Sequence, residues 1–491
     1  MNNYLNQWRK LPFALFMLVL ACCFAACDSE KEVATDGVYD PNRPVVVSGF
    51  TPAKGGVGQK LVIYGENFDT DTTKTHVTIG GIPAVVINAK SNAIYCFVPA
   101  KAYSGEVEVT CGNGDNAQTG TAPTKFEYEK KMTVGTLFGY RNQNDDQGWK
   151  DGTFETYAGI REDCFLKFDP LNHKHLYMAF DKADIQLVDL EKRTVKTVMS
   201  RSMFENTRIR SVDFTLDGKY MVVATDRDDR GEGRSPSVWI VTRNADGSFT
   251  NESPHQILAS YMQCNGASIH PINGEMYFNS YQRGQVFQMD LNKYFTAMAE
   301  GKQWNPNWDG GNYKELFTIQ DTGWEFQIHM HPSGKYAYII VINQHYILRT
   351  DYNETEKRFA PPYIIAGQVR QSGYADGVGT DVRFYRPYQG CFVKNPDYVK
   401  EGRDDVYDFY ICDNQNHCIR KMTPDGVVST YAGRGSTTSV TDNNVWGTDD
   451  GDLRLTARFR DPTGIAYDEE TNTFYVVCTI GRTMRTISME K

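Results

Sequence analysis

After residue 26 the 491-residue chain has no apolar run long enough to cross a bilayer as a helix. It is also short of positive charge. Against 61 Asp and Glu stand 52 Lys and Arg, for a formal charge of −9, and residues 1–26 hold two of those cations, Arg9 and Lys10. Without that segment the charge is −11, a balance that argues against general nucleic-acid binding. Histidine is scarce at nine residues, and no nucleophile elbow, P-loop or paired-carboxylate signature is present. Of the 11 cysteines, eight follow Cys27, and these are scattered without metal-ligand spacing. Cys412 and Cys418 flank a turn in ICDNQNHCI, and Cys96 and Cys111 share one domain. Eight thiols in so long a chain still make no disulfide framework, so free, buried cysteines are expected. No cofactor, metal or catalytic set is expected from these residues.

The N-terminus is more explicit. Arg9 and Lys10 precede the apolar run Leu11 to Ala26, which has the length of a signal-peptide core. The run closes on Phe24-Ala25-Ala26-Cys27. This resembles the lipobox of bacterial lipoproteins, which implies a signal peptide over 1–26 and an acylated Cys27 at the head of a polar tether, 27–42. Phe24 stands where the motif usually has Leu, and Cys22, after Val19-Leu20-Ala21, is the second candidate. The acidic stretch Asp28-Ser29-Glu30-Lys31-Glu32 resembles the surface-export signal of Bacteroidetes lipoproteins. It implies an outer-membrane protein held by a lipid anchor and facing the cell exterior.

Aromatic residues are plentiful, with 29 Tyr, 26 Phe and 7 Trp, as suits an all-β protein. From Arg43, apolar and polar residues alternate between Gly and Pro punctuation in short segments at sandwich spacing. Pro52, Gly55 to Gly58, Gly65-Glu66-Asn67-Phe68, Ile79-Gly80-Gly81, Val98-Pro99 and Phe126-Glu127-Tyr128 resemble an IPT/TIG immunoglobulin-like domain over 43–129.

Residues 132–491 repeat. Tyr363 to Gly367 leads through Asp376-Gly377 and Arg383-Phe384 to Pro387. Ser429 to Gly433 leads through Asp450-Gly451 and Arg458-Phe459 to Pro462. Gly135 to Gly139 leads through Asp151-Gly152 toward Cys164. FYICDNQNHCIRKMTPDGVVSTYAG between them resembles the NHL repeat. Six blades are expected, with inner strands near 164, 210, 267, 327, 389 and 464. The last blade has only three strands, so an N-terminal outer strand at 133–139 is expected to close the ring. The fold class is therefore an immunoglobulin-like IPT/TIG sandwich followed by a six-bladed NHL-type β-propeller.

The connections between blades and the turns between second and third strands share one face, and three connections are long: 139–163, 367–388 and 433–462. Aromatic and arginine residues on such loops suit sugars, whose C–H faces pack on rings and whose hydroxyls need hydrogen bonds. The glycan-binding candidates are Trp149, Tyr157, Arg161, Arg283, Trp324, Tyr385, Tyr388, Trp446 and Arg482. The loop 299–313 adds Trp304 and Trp308, and the arginines of the strand turns point to an acidic glycan. Arg383-Phe384 and Arg458-Phe459 fall on the repeat motif, so the rings are expected to wedge between blades while the arginines bond backbone. His270, His329 and His331 read as ends of inner strands.

An IPT/TIG domain joined to such a propeller, behind a lipobox, resembles the surface glycan-binding lipoproteins of Bacteroidetes. That resemblance implies non-catalytic capture of a polysaccharide or oligosaccharide, beside a TonB-dependent outer-membrane transporter and a SusD-like protein of a SusC/SusD-type uptake system. The alternatives are a propeller enzyme, either a polysaccharide lyase or a lactonase-like hydrolase, and a protein-interaction scaffold.

Overall fold

The computed structural model describes residues 38–139, 151–157, 159–319, 325–436 and 444–490. The chain divides into two compact units, one up to Glu129 and one from Lys130.

In the first unit seven strands pair in the order Val46–Thr51, Lys60–Glu66, Ala93–Phe97, Ile82–Lys90, Thr75–Ile79, Val107–Cys111 and Gln118–Thr121. Alternate residues of these strands point inward, and Ile63, Ile79, Ile94 and Val107 join Phe68 and Phe126 in one core. Gly80 and Gly81 turn the hairpin between Ile79 and Ile82 at φ 57° and 80°. A side chain at Gly80 would also meet the Ala102 carbonyl oxygen, so the Gly-Gly pair is a steric requirement.

The second unit is a six-bladed propeller. Its inner strands are Cys164–Asp169, Arg208–Phe214, Ala267–Ile269, Phe326–Met330, Pro387–Lys394 and Pro462–Asp468, within two residues of the sequence reading. They define blades 1 to 6. Blade 6 has three strands of its own, and Met132–Gly139 pairs antiparallel with Thr483–Met489 as its fourth. The N-terminal strand closes the ring as expected.

Sequence reading did not foresee a fifth strand. The Asp-Gly sites each begin a two-residue strand, Gly152–Thr153, Gly377–Val378 and Gly451–Asp452, lying outside the outer strands of blades 1, 5 and 6. The aspartate secures each crossing. Asp151 accepts from Thr197, Asp376 from Thr430 and Asp450 from Thr136, at 2.8–3.0 Å. A third-strand side chain then anchors the loop from within. Arg420, fully buried, bonds Asp376, Asp413 and the Arg383 carbonyl. Arg485, also fully buried, bonds Asp450 and the Arg458 carbonyl. In blade 1 the equivalent register position is Gln186, which accepts the Tyr157 hydroxyl at 2.5 Å.

Phe384 and Phe459 are fully buried beneath these arginines, 5.3 and 5.4 Å from guanidinium carbon to ring centre. Arg383 and Arg458 bond nearby backbone carbonyls, the former Thr380 and Val382, the latter Ala457 and Asn444. The wedge reading of the repeat motif holds. Blade 2's outer strand, His255–Tyr261, is covered by the 300–312 segment: Ser260 N donates to the Pro306 carbonyl and Trp304 Nε1 to the Leu258 carbonyl. Trp304 therefore seals an edge instead of serving the loop-rich face. Among the described residues all eight cysteines are free, and seven are fully buried.

If Phe459 is a wedge, Phe459→Ala should lower the unfolding free energy of the propeller by ~3–5 kcal/mol and Phe459→Leu by ~1 kcal/mol. Urea denaturation followed by circular dichroism checks this, and equal, small losses for both would contradict the packing role.

Candidate functional site

All six inner strands begin on the loop-rich face, around the upper mouth of the central channel. In four blades the residue immediately before the inner strand is charged: Asp163, Glu325, Arg386 and Asp461. One register position thus supplies a partial ring of charge. Blade 2 contributes Arg208 and Arg210 from the strand itself. The Arg210 side chain is 1% exposed and lies 3.0 Å from Glu325 Oε2, 3.5 Å from Asp226 and 3.7 Å from Asp181. Arg208 forks onto Asp181 through Nε and Nη2, at 2.7 and 2.5 Å, and reaches Asp226 at 3.3 Å. Buried charge persists only when paired in this way.

Pairing does not neutralise the mouth. Asp163, Asp181, Asp226, Glu325 and Asp461 face Arg208, Arg210 and Arg386. Burial raises the pKa values of Asp163 and Asp226 above the usual carboxylate range, against the pull of Arg386 and Arg210. Burial also pushes Asp181 up, but the Arg208 hydrogen bonds and the Arg210 charge more than offset this and hold it low. Asp461 is pushed up to about 6 by burial, with Arg460 opposing.

An arc of half-exposed groups runs round this mouth from blade 4 to blade 1. His345 Nδ1 accepts the Arg386 backbone N–H at 3.2 Å and packs edge-on against Tyr385. The Gln415 backbone N–H donates to the Tyr385 carbonyl, and its amide donates to Asp461 at 2.6 Å. His417 repeats the His345 role one blade on, accepting the Asp461 N–H at Nδ1. Its imidazole is held down to about 4 by burial and Arg460, so its 3.8 Å approach to the Asp461 carboxylate is no ion pair. Arg460 then lies 4.1 Å over the Trp446 ring, and its carbonyl accepts from Gly481, beside Arg482. Thr479 closes the arc by donating to the Glu162 carbonyl. The glycines ending the outer strands make these turns possible. Gly367 and Gly433, at φ 88° and 84°, sit so close to the His345 and His417 carbonyls that any side chain would collide.

The structure sorts the sequence candidates. Tyr385, Trp446 and Arg482 come together on the arc, with Arg161 half-buried in the connection leading into blade 1. Tyr157 is a correction: at 1% exposure it packs edge-on against Phe138 and spends its hydroxyl on Gln186. Tyr388 is another. It is 4% exposed, beneath the charged mouth, with Asp163 and Arg210 as neighbours. Arg283 pairs with Glu232 at 2.7 Å, in blade 3. Arg227 and Arg230 pair with Glu205, and Arg234 with Asp309, so these turn arginines do not supply free cations for an acidic glycan. Cys27, Trp149 and Trp324 lie outside the described residues. The charged ring was missed, although its signal, a charge directly before each of four inner strands, was readable from the repeat alignment.

Among the described residues no three His, Cys, Asp or Glu side chains converge as metal ligands. His270 Nε2 donates to the Gly334 carbonyl, and His331 stacks on Tyr336 beside Asp405, both as strand-end contacts. What the upper mouth offers is a hydrogen-bonding rim with aromatic surface, on a rigid ring.

These features define a class: an all-β protein with a six-bladed propeller whose loop-rich mouth carries paired charges, amides and aromatic rings. Residues 44–128 match the IPT/TIG domain family. A search of curated proteins returns no match. Among solved structures, the chain is similar to a Bacteroides thetaiotaomicron protein named provisionally as a phosphatase, at 53% identity over 93% of this chain and 99% of that one, TM-score 0.85. It is also similar to auxiliary nutrient binding proteins from Bacteroides thetaiotaomicron, at 42% identity over 92% and 100% with TM-score 0.77, and from Bacteroides ovatus, at 33% over 93% and 100% with TM-score 0.64. The chain belongs to the family that these Bacteroides proteins form.

Asp461 sets a pH test. Its folded pKa is pushed up to about 6 from the ordinary 3.8, so the folded state holds the proton more tightly. The stabilisation is present below pH 3.8 and is lost as pH rises through 6, by at most ~3 kcal/mol. Relative to Asp461→Asn, wild-type melting temperature should therefore fall by a few degrees between pH 4.5 and 7.5. Parallel pH profiles for the two proteins would contradict this assignment.

Proposed function

We propose that this protein is a cell-surface lipoprotein that captures a glycan without turning it over, on the loop-rich mouth of its propeller. The observation that carries the reading is the Trp446 ring, backed by Arg460, on the same loop-rich face as Tyr385, Gln415 and Arg482. A ring beside hydrogen-bonding groups offers a sugar both a face for its C–H bonds and partners for its hydroxyls. The names of two relatives as nutrient binding proteins support a binding role. The arginines of blade 2 and Arg283 are paired internally, so a neutral glycan is the ligand to test first. Acylation at Cys27 anchors the chain to the outer membrane, and the captured glycan passes to a TonB-dependent transporter with its SusD-like partner.

The phosphatase name of the most identical of the three relatives supports a second reading, hydrolysis of a phosphate ester. That chemistry calls for an activated nucleophile or clustered metal ligands. The thiols of Cys164, Cys264 and Cys412 are buried and pushed well above the ordinary range by that burial, which favours capture.

Affinity electrophoresis and calorimetry of the chain from Cys27 against neutral and acidic plant, host and microbial polysaccharides test the proposal. Saturable binding to a neutral polysaccharide is expected, without release of reducing ends. Trp446→Ala should weaken it about tenfold and Arg283→Ala should leave it unchanged. Release of phosphate from p-nitrophenyl phosphate, with no retardation by any glycan, would transfer the assignment to the hydrolase.

A further inference from the structure

The opposite end of the channel has a different chemistry. There the inner strands of the blades end around a cavity of about 480 Å³. Its wall is aromatic and apolar, with Phe165, Phe168, Phe214, Met330, Phe392 and Tyr467 all facing it. Exposed Leu171, Leu216 and Ile272, on the inner hairpins of blades 1 to 3, extend that surface outward. Each leans on the glycine of the next hairpin, Gly218, Gly274 and Gly334, so the rim is continuous from blade to blade.

The cavity is a blind cup. At its inner end the Gln389 amide accepts from the Leu166 and Ile465 backbone N–H groups, at 2.9 and 3.1 Å, and donates to the Leu166 carbonyl at 2.8 Å. One side chain of blade 5 thereby ties together the inner strands of blades 6 and 1. Tyr388 and Arg210, both buried, occupy the layer above. The lower cavity shares none of its lining residues with the upper rim.

Lys167, Asp213, Thr215, Ser268, His329 and Gln389 interrupt the apolar wall with polar groups. Lys167 Nζ, on the half-exposed side of the cup, bonds Asp213 at 2.7 Å. His329 lines the cup, is 8% exposed, and its Nε2 has no hydrogen-bond partner. Its ring is stacked parallel to Phe165 and tilted against Phe409. Burial, with Lys167 nearby, holds this imidazole down to about 3, so it is neutral and can accept or donate one hydrogen bond.

We propose that the lower mouth is a second binding site, for a flat aromatic molecule of two or three rings that carries hydroxyl groups. A cup of this volume matches small-molecule sites. Its rings favour offset or edge-on aromatic contacts. A hydroxyl placed at the Lys167–Asp213 pair or at His329 finds a donor and an acceptor. An unfunctionalised acyl chain would leave His329 unpartnered.

The site does not depend on the glycan reading, and failure of glycan binding leaves it standing. The test is titration of the whole chain from Cys27 with resveratrol as the probe, followed by calorimetry and by the fluorescence of the probe. Saturable one-site binding on the order of 10–100 µM is expected. Ala466→Phe, which fills the cup, should weaken it at least tenfold, and Leu216→Ser on the exposed rim several-fold. Trp446→Ala at the other mouth should change nothing. Should Ala466→Phe fail to fold, as circular dichroism would show, Leu216→Ser with His329→Phe decides. Absence of saturable binding, binding indifferent to the cup variants, or binding lost in Trp446→Ala would overturn the proposal.

Discussion

A propeller is a row of sheets bent into a circle, and a row has two ends. Here the antiparallel pairing of Met132–Gly139 with Thr483–Met489 joins them. It removes the open edge that blade 6 would otherwise present and fixes the diameter of the ring. Both mouths depend on that closure. Asp163 on blade 1 senses Arg386 on blade 5, and Gln389 reaches from blade 5 to Leu166 on blade 1. Neither relation survives if blades 6 and 1 part.

Closure also explains why so much charge is buried. Side chains within the ring have little access to water, so each charge needs a local partner. Arg420 with Asp376 and Asp413, Arg485 with Asp450, and Arg210 with Glu325 meet this need while pinning loops or strands in place. Arg283 and the arginines of blade 2 are likewise engaged with carboxylates. The upper mouth works through rings, amides and backbone geometry, and the cation at Trp446 supports the ring instead of standing free. The lower mouth differs, with Phe165, Phe168, Phe214, Phe392 and Tyr467 setting most of its wall.

The fold was legible because a repeat states its architecture several times. Asp-Gly, Arg-Phe and Ala-Gly recur at matching places, and the three-strand last blade announces its missing partner. The site was less legible. Tyr157 stands in a long loop, as binding residues often do, yet its hydroxyl is spent on Gln186, which takes the place that Arg420 and Arg485 fill in other blades, and only the register shows that. Tyr388 is aromatic and lies at the start of an inner strand, but the closing ring buries it. Asp163, Glu325, Arg386 and Asp461 were passed over because no one of them is unusual alone. Their meaning comes from converging on one axis, which is a property of the closed ring and of no single segment. The apolar cup has the same origin, since its rings come from blades far apart in sequence.

The central claim, that the loop-rich mouth is where the protein meets its glycan, is tested most directly by hydrogen–deuterium exchange of the full mature chain with and without a polysaccharide that it retards. The account predicts slower exchange in 368–386 and 444–461, the segments that carry Tyr385, Trp446 and Arg460, with the lower hairpins at 169–172 and 215–219 unchanged. Protection confined to 43–129 or to those lower hairpins would contradict it.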